Sequence, residues 1–139
     1  MTLFGERPQL ARTLARHLEE VENGSVPRRT KELCALMVSW LNACENCTQT
    51  HMEMAQSLGV GREALDELGN FATSDRFSPA ERAALSAAVA LTREPRALPV
   101  PVRAMLEEHF DAGEIVEVIA TIGVYNYVTR ASNALKMKG

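Results

Sequence analysis

The stretch 32-ELCALMVSWLNACENCTQTH-51 decides the fold. Its first half carries Leu33, Leu36, Met37, Trp40 and Leu41 at the i, i+3, i+4, i+7, i+8 spacing of a buried helical face. Its second half starts a new helix near Cys44 that runs to about Leu58, where Gly59-Val60-Gly61 ends it. Almost no loop separates the two, so they form an αα-hairpin.

On a helical wheel, Cys47 falls about 60° to one side of Cys44 and His51 about 20° to the same side. Met54, Ala55 and Leu58 lie in the same arc. The two cysteines and the histidine therefore share the inward stripe of the third helix. With the hairpin turn centred near residue 42 or 43, Glu32 lies opposite residues 51 to 54, at the border of its own apolar stripe. It faces His51 and orients the imidazole, or it is an exposed first-turn glutamate favouring the helix dipole. Cys34 falls on the opposite border and reads as a small buried hydrophobe.

The same periodicity extends in both directions. Pro8 precedes Leu10, Leu14, Leu18 and Val21, a first helix stopped by Asn23-Gly24-Ser25. Pro27 opens the second. Beyond the third, a short helix carries Leu65 and Leu68, and the loop 69-GNFATSDRF-77 follows. In 78-SPAE-81, Ser78 is the N-cap, Pro79 occupies N1 and Glu81 occupies N3 of a helix reaching Arg93. Residues 101–110 form a sixth helix. Asp111 and Glu114 form a capping-box pattern at the head of the last, in which 115-IVEVIATIGVYNYVTRASNAL-135 is apolar around most of its circumference. That helix is either the centre of the core or covered by another subunit, and Gly123 within it suits a close backbone approach. No segment alternates as a strand does, so the expected fold is all-α, a single domain over residues 1–139 with six to seven helices.

The chain is long enough to bury a core, and 46% of its residues are apolar. A formal net charge of -3 gives no electrostatic reason to expect nucleic acid or an anionic membrane as partner. Arg28, Arg29 and Lys31 read as a solvated helix start. The opening MTLFGERPQL lacks an apolar leader core, and no 18-residue uncharged apolar run is present. Three cysteines are too few and odd in number for a disulfide scaffold. The expected location is cytoplasmic, where a close CxxC is functional rather than a staple.

Chemistry follows from the face. A helix N-terminus stabilises a thiolate through its free N–H groups and dipole. Two cysteines three apart can bond, and a histidine one turn on can take or return a thiol proton. Cys44 is nearer the helix N-terminus and Cys47 nearer the base, so this argument leaves the attacking sulfur open. A zinc site is the competing reading, with Cys34 or Glu32 as fourth ligand. Those two point to opposite borders of their helix, and Cys44, Cys47 and His51 span about 10 Å along theirs, long for one ion. No metal or cofactor is expected. His17 and His109 receive no role.

Glu32, Cys44, Cys47 and His51 together resemble the Glu…Cys-x-x-Cys-x-x-x-His motif of the alkyl hydroperoxidase D-like (AhpD-like) group of the carboxymuconolactone decarboxylase superfamily. The resemblance covers roughly residues 25 to 137, including 78-SPAERAALSAAVALT-92 and 112-AGEIVEVIATIGVYNYVTRASNAL-135. It implies an all-helical trimer or hexamer and a thiol peroxidase without a bound cofactor. It also implies that Cys47 attacks a hydroperoxide, Cys44 resolves the sulfenic acid to a disulfide, and His51 and Glu32 relay protons. A dithiol such as dihydrolipoamide, or a protein partner, would return the electrons. Founding members carry a histidine just before the second cysteine. Asn46 stands there, and an amide does not shuttle protons near pH 7. A lactone-ring decarboxylase on the same scaffold would not need the cysteine pair. A redox-sensing oligomer would use the pair without peroxidase turnover.

Overall fold

The structure is a computed structural model that describes residues 5–135. Residues 1–4, part of the stretch read for a leader, and 136–139 lie outside the described residues. Among the described residues seven α-helices follow in order: α1 Pro8–Glu22, α2 Arg28–Leu41, α3 Glu45–Ser57, α4 Arg62–Asp66, α5 Pro79–Arg93, α6 Val100–His109 and α7 Ala112–Ala134. A 3-10 turn, Leu68–Asn70, follows α4. Leu68, expected in the fourth helix, is buried from this turn instead. No strand occurs among the described residues.

The centre is α2, packed against α3, α5 and α7. Its residues Thr30 to Ser39 are all buried, far more than one apolar stripe. This encirclement corrects the reading of the basic cluster as solvated. Lys31 is only 5% exposed. Its ammonium donates to the Val21 and Glu22 carbonyls that end α1, at 2.7 and 3.2 Å, and pairs with Glu117 of α7 at 3.2 Å. A cation at carbonyls left open by a helix end is favourable, and Glu117 balances its charge. The other Glu117 oxygen accepts the Val26 N–H at 2.6 Å. Arg29 reaches Glu81 of α5 at 3.2 Å.

Three apolar residues assigned to buried stripes lie out of the core: Trp40, Leu10 and, at the end of α3, Leu58. Trp40, 51% exposed, emerges where α2 ends and rests against Gly69. Leu10 is half exposed because α1 packs mainly on α7 and covers only one side of itself.

The caps are where local sequence places them. Ser78 accepts the Glu81 N–H at 3.1 Å, and Asp111 and Glu114 complete a reciprocal capping box. The last helix is central to the core on one side, the first half of its expectation. Val118, Thr121, Ile122, Val124, Tyr125 and Thr129 are buried in the chain's own core. Val116, Ile119, Gly123 and Tyr127 form an exposed line at helical spacing on the opposite side.

Candidate active site

The site is built on the α2–α3 turn. Asn42 caps α2, its N–H donating to the Val38 carbonyl. Ala43 then takes a left-handed conformation, φ 52°, which costs an L-residue about 1 kcal/mol. This reversal lets the Cys44 N–H return to the Ser39 carbonyl at 3.0 Å. The Asn42 side chain donates to Asn126 and Thr129 of α7, both at 2.9 Å, so the turn is fastened to a second helix.

Cys44 is the N-cap of α3, and Cys47 is its third residue. Their sulfurs are joined in a disulfide, with Cα atoms 5.3 Å apart. Cys44 is 5% exposed, whereas Cys47 is half-buried and so the more open of the two. Both sit at the positive end of α3, where the first N–H groups have no helical partner. The Cys44 carbonyl accepts from both the N–H and the hydroxyl of Thr48, at 2.8 Å each.

His51 lies one turn beyond Cys47 and is buried. Its Nδ1 is hydrogen-bonded to Oε1 of Glu32, which is 4% exposed. The exposed alternative for Glu32 is thereby excluded. With a carboxylate as acceptor, Nδ1 is the donor of this bond, and Nε2 is the ring nitrogen that Glu32 does not engage. Such a bond from a buried acid fixes the orientation of the imidazole. The structure therefore brings Glu32, His51, Cys44 and Cys47 into one region of the hairpin.

Other candidates separate from it. Cys34 is a free, buried thiol whose pKa is pushed up to about 12 by burial and then by the charge of Glu81. It lies on the α5 side and is inert as a thiolate source. Among the described residues no three His, Cys, Asp or Glu side chains converge as metal ligands do. Asn46 is exposed on the solvent side of α3. Leu58, placed in the inward arc by the wheel, is 38% exposed at the end of α3. A groove of about 230 Å³ lined by Leu36, Trp40, Thr48 and Met52 lies on the other flank of α3 from Cys47.

Tyr125 was not singled out by the sequence. Its ring meets the His51 imidazole edge to face, centroids 4.7 Å apart and planes at 82°. Burial first, and the negative charge of Glu32 second, push its phenol well above the ordinary range, so it stays protonated. No local pattern in the sequence marks it, because the contact joins α7 to α3.

Residues 8–90 match the carboxymuconolactone decarboxylase family. The chain is similar to the YdfG protein of Bacillus subtilis (strain 168), 29% identical over 82% of this chain and 78% of that protein. Its fold is similar to that of a protein of unknown function from Agrobacterium tumefaciens, described as a candidate antioxidant defence protein AhpD. The TM-score is 0.91 at 21% identity, over 99% of this chain and 95% of the other. The debrominase Bmp8, solved with 2,3,4-tribromopyrrole, superposes with a TM-score of 0.87 at 24% identity, over 97% of this chain and 73% of Bmp8. No described helix is long and apolar enough to cross a membrane. The family match, the all-helical fold and the CxxC at the head of the third helix agree: this chain belongs to the carboxymuconolactone decarboxylase family, with an AhpD-like fold.

Proposed function

We propose that the chain is a thiol-dependent peroxidase working as one domain over residues 1–139, with Cys47 as nucleophile. The carrying observation is the bonded Cys44–Cys47 pair at a helix N-terminus, beside an imidazole oriented by a buried carboxylate. In the reduced state His51 Nε2 takes the Cys47 thiol proton, and the helix end favours the thiolate. The thiolate attacks the terminal oxygen of a hydroperoxide. The O–O bond breaks, Cys47 becomes a sulfenic acid, and the imidazolium returns its proton to the departing alkoxide. The Cys44 thiol then attacks the Cys47 sulfur, the S–OH bond breaks, water leaves, and the disulfide forms. An external dithiol, of the dihydrolipoamide type or on a protein partner, restores both thiols and is itself oxidised. Glu32 remains a carboxylate throughout and stabilises the imidazolium. Cys47 takes the nucleophile's role because it is the more open sulfur and lies one turn from the base. No cofactor enters the scheme.

A homo-oligomer, trimer or hexamer, and a cytoplasmic setting belong to this reading. The exposed line Val116, Ile119, Gly123, Tyr127 supports the first, since a side chain added at Gly123 would meet nothing within 4 Å in the single chain.

The test is turnover of hydrogen peroxide and cumene hydroperoxide with dihydrolipoamide. Cys47→Ser should abolish it, and Cys44→Ser should stop it after one oxidation. Turnover unchanged in Cys47→Ser would sink the mechanism. Oxidation of the pair by peroxide without turnover by any dithiol would favour a redox sensor, and lactone decarboxylation surviving loss of both cysteines would favour the decarboxylase.

A further inference from the structure

The imidazole of His51 needs more than its rotamer to hold it. The terminal torsion of a histidine joins an sp³ to an sp² carbon and has broad, shallow minima. Rotation about it would take Nδ1 off Glu32 and change where Nε2 points. Glu32 restrains one edge of the ring. The edge-to-face contact with Tyr125 is the second restraint, and it comes from a helix that carries none of the four motif residues.

Tyr125 is well suited to this. It sits in the middle of α7, 8% exposed, between the fully buried Ile122 and Thr129. Both ends of α2 are tied to α7: Val26 and Lys31 to Glu117, and Asn42 to Asn126 and Thr129. These ties run the two helices in the same direction. Aromatic side chains on a helix lean toward its N-terminus. The Tyr125 ring accordingly leans toward the end of α2 that bears Glu32. The charges that act on its hydroxyl are Glu32 and Arg28 of α2 and Glu22 at the end of α1.

We propose that Tyr125 is a positioning residue for His51, whose ring holds the imidazole in the orientation that presents Nε2 to Cys47. The proposal rests on the thiol reading of the site but not on peroxide being the substrate. The ring does the holding. The hydroxyl stays protonated and neither gives nor takes the transferred proton.

The experiment reads the Cys47 thiolate directly. Reduced full-length protein in a Cys44→Ser background is alkylated with iodoacetamide across pH 5 to 10, and the parent is compared with Tyr125→Phe and Tyr125→Leu. Tyr125→Phe keeps the ring and should stay within about twofold of the parent at every pH. Tyr125→Leu should react about three- to tenfold more slowly near neutral pH, the range an edge-to-face aromatic pair supplies. It should converge on the parent at high pH, where the thiol ionises without help. A Tyr125→Leu profile superposing on the parent overturns the proposal, as does a Tyr125→Phe profile as slow as that of Tyr125→Leu. If circular dichroism shows that Tyr125→Leu has lost its helices, Tyr125→Met, which keeps the bulk without the aromatic face, takes its place. The same slowing of about three- to tenfold near neutral pH is expected of it, and a profile superposing on the parent overturns the proposal. Absence of peroxidase turnover would leave these profiles untouched, so the two ideas fail separately.

Discussion

Glu32→Gln isolates the carboxylate's contribution without changing the shape of the site. The amide oxygen can still accept the His51 Nδ1–H, so the buried bond survives as a neutral one. Its charge is lost at the step where the imidazole becomes an imidazolium. A hydrogen bond to a charged group contributes about 1.5–3 kcal/mol, against about 1 kcal/mol for a neutral one. The difference, roughly 0.5–2 kcal/mol, is about 2- to 30-fold in rate. Glu32 is 4% exposed, so solvent screening removes little of this. The assay is stopped-flow oxidation of the reduced protein by excess hydrogen peroxide, followed by fluorescence of Trp40, the single tryptophan, three residues before the turn's Ala43. The oxidation rate at pH 7 should fall about 2- to 30-fold, with little change in thermal stability, because the hydrogen bond is kept. Glu32→Leu should be worse on both counts, since it leaves a buried N–H unpaired at about 1–3 kcal/mol. A rate within twofold of the parent in both variants would refute the role given to Glu32.

Other consequences follow from particular contacts. A Cβ at Gly24 would lie 1.0 Å from Oε1 of Glu117, forcing that carboxylate off Lys31 and Val26. Gly24→Ala should therefore cost about 2–4 kcal/mol, tempered by the two carbonyls Lys31 keeps, and lower the melting temperature by roughly 5–10 °C. A drop under about 2 °C would show that Glu117 finds another seat. Cys34 sets an alkaline limit. Its folded pKa of about 12 lies above the unfolded value, so its contribution is complete below about pH 9 and is lost as pH rises toward 12. Over that window stability should fall by up to about 1.4 kcal/mol per pH unit from this group, and urea midpoints of Cys34→Ala should show a shallower decline. Equal slopes would remove Cys34 from the account. For the exposed face of α7, Ile119→Asp should shift the sedimenting species to the monomer while keeping the helical signal. An unchanged mass would place any subunit contact elsewhere.

The helices were legible because their causes are local. Apolar spacing marks α2 and α7, proline and the Ser78 and Asp111 caps mark the starts, and Asn23-Gly24 and Gly59 mark stops. The shared face of Cys44, Cys47 and His51 is likewise a matter of residue spacing along one helix. What the spacing could not settle was what stands opposite each face. Trp40 and Lys31 were misplaced for the same reason. An apolar position is buried only if a neighbour arrives, and a charged one is solvated only if none does. α2 is encircled by α3, α5 and α7 along Lys31 but is uncovered at Trp40.

By itself, then, the sequence determined an all-helical chain with a dithiol and an imidazole on one inward stripe, since covalent spacing and the 3.6-residue period act within a single segment. Tertiary structure alone decided that Glu32 is a buried partner of His51 rather than a surface acid. It also set Tyr125, 74 positions further on, against the same imidazole. Both contacts join residues on different helices, and their existence depends on how α2, α3 and α7 pack, a quantity that no local pattern encodes.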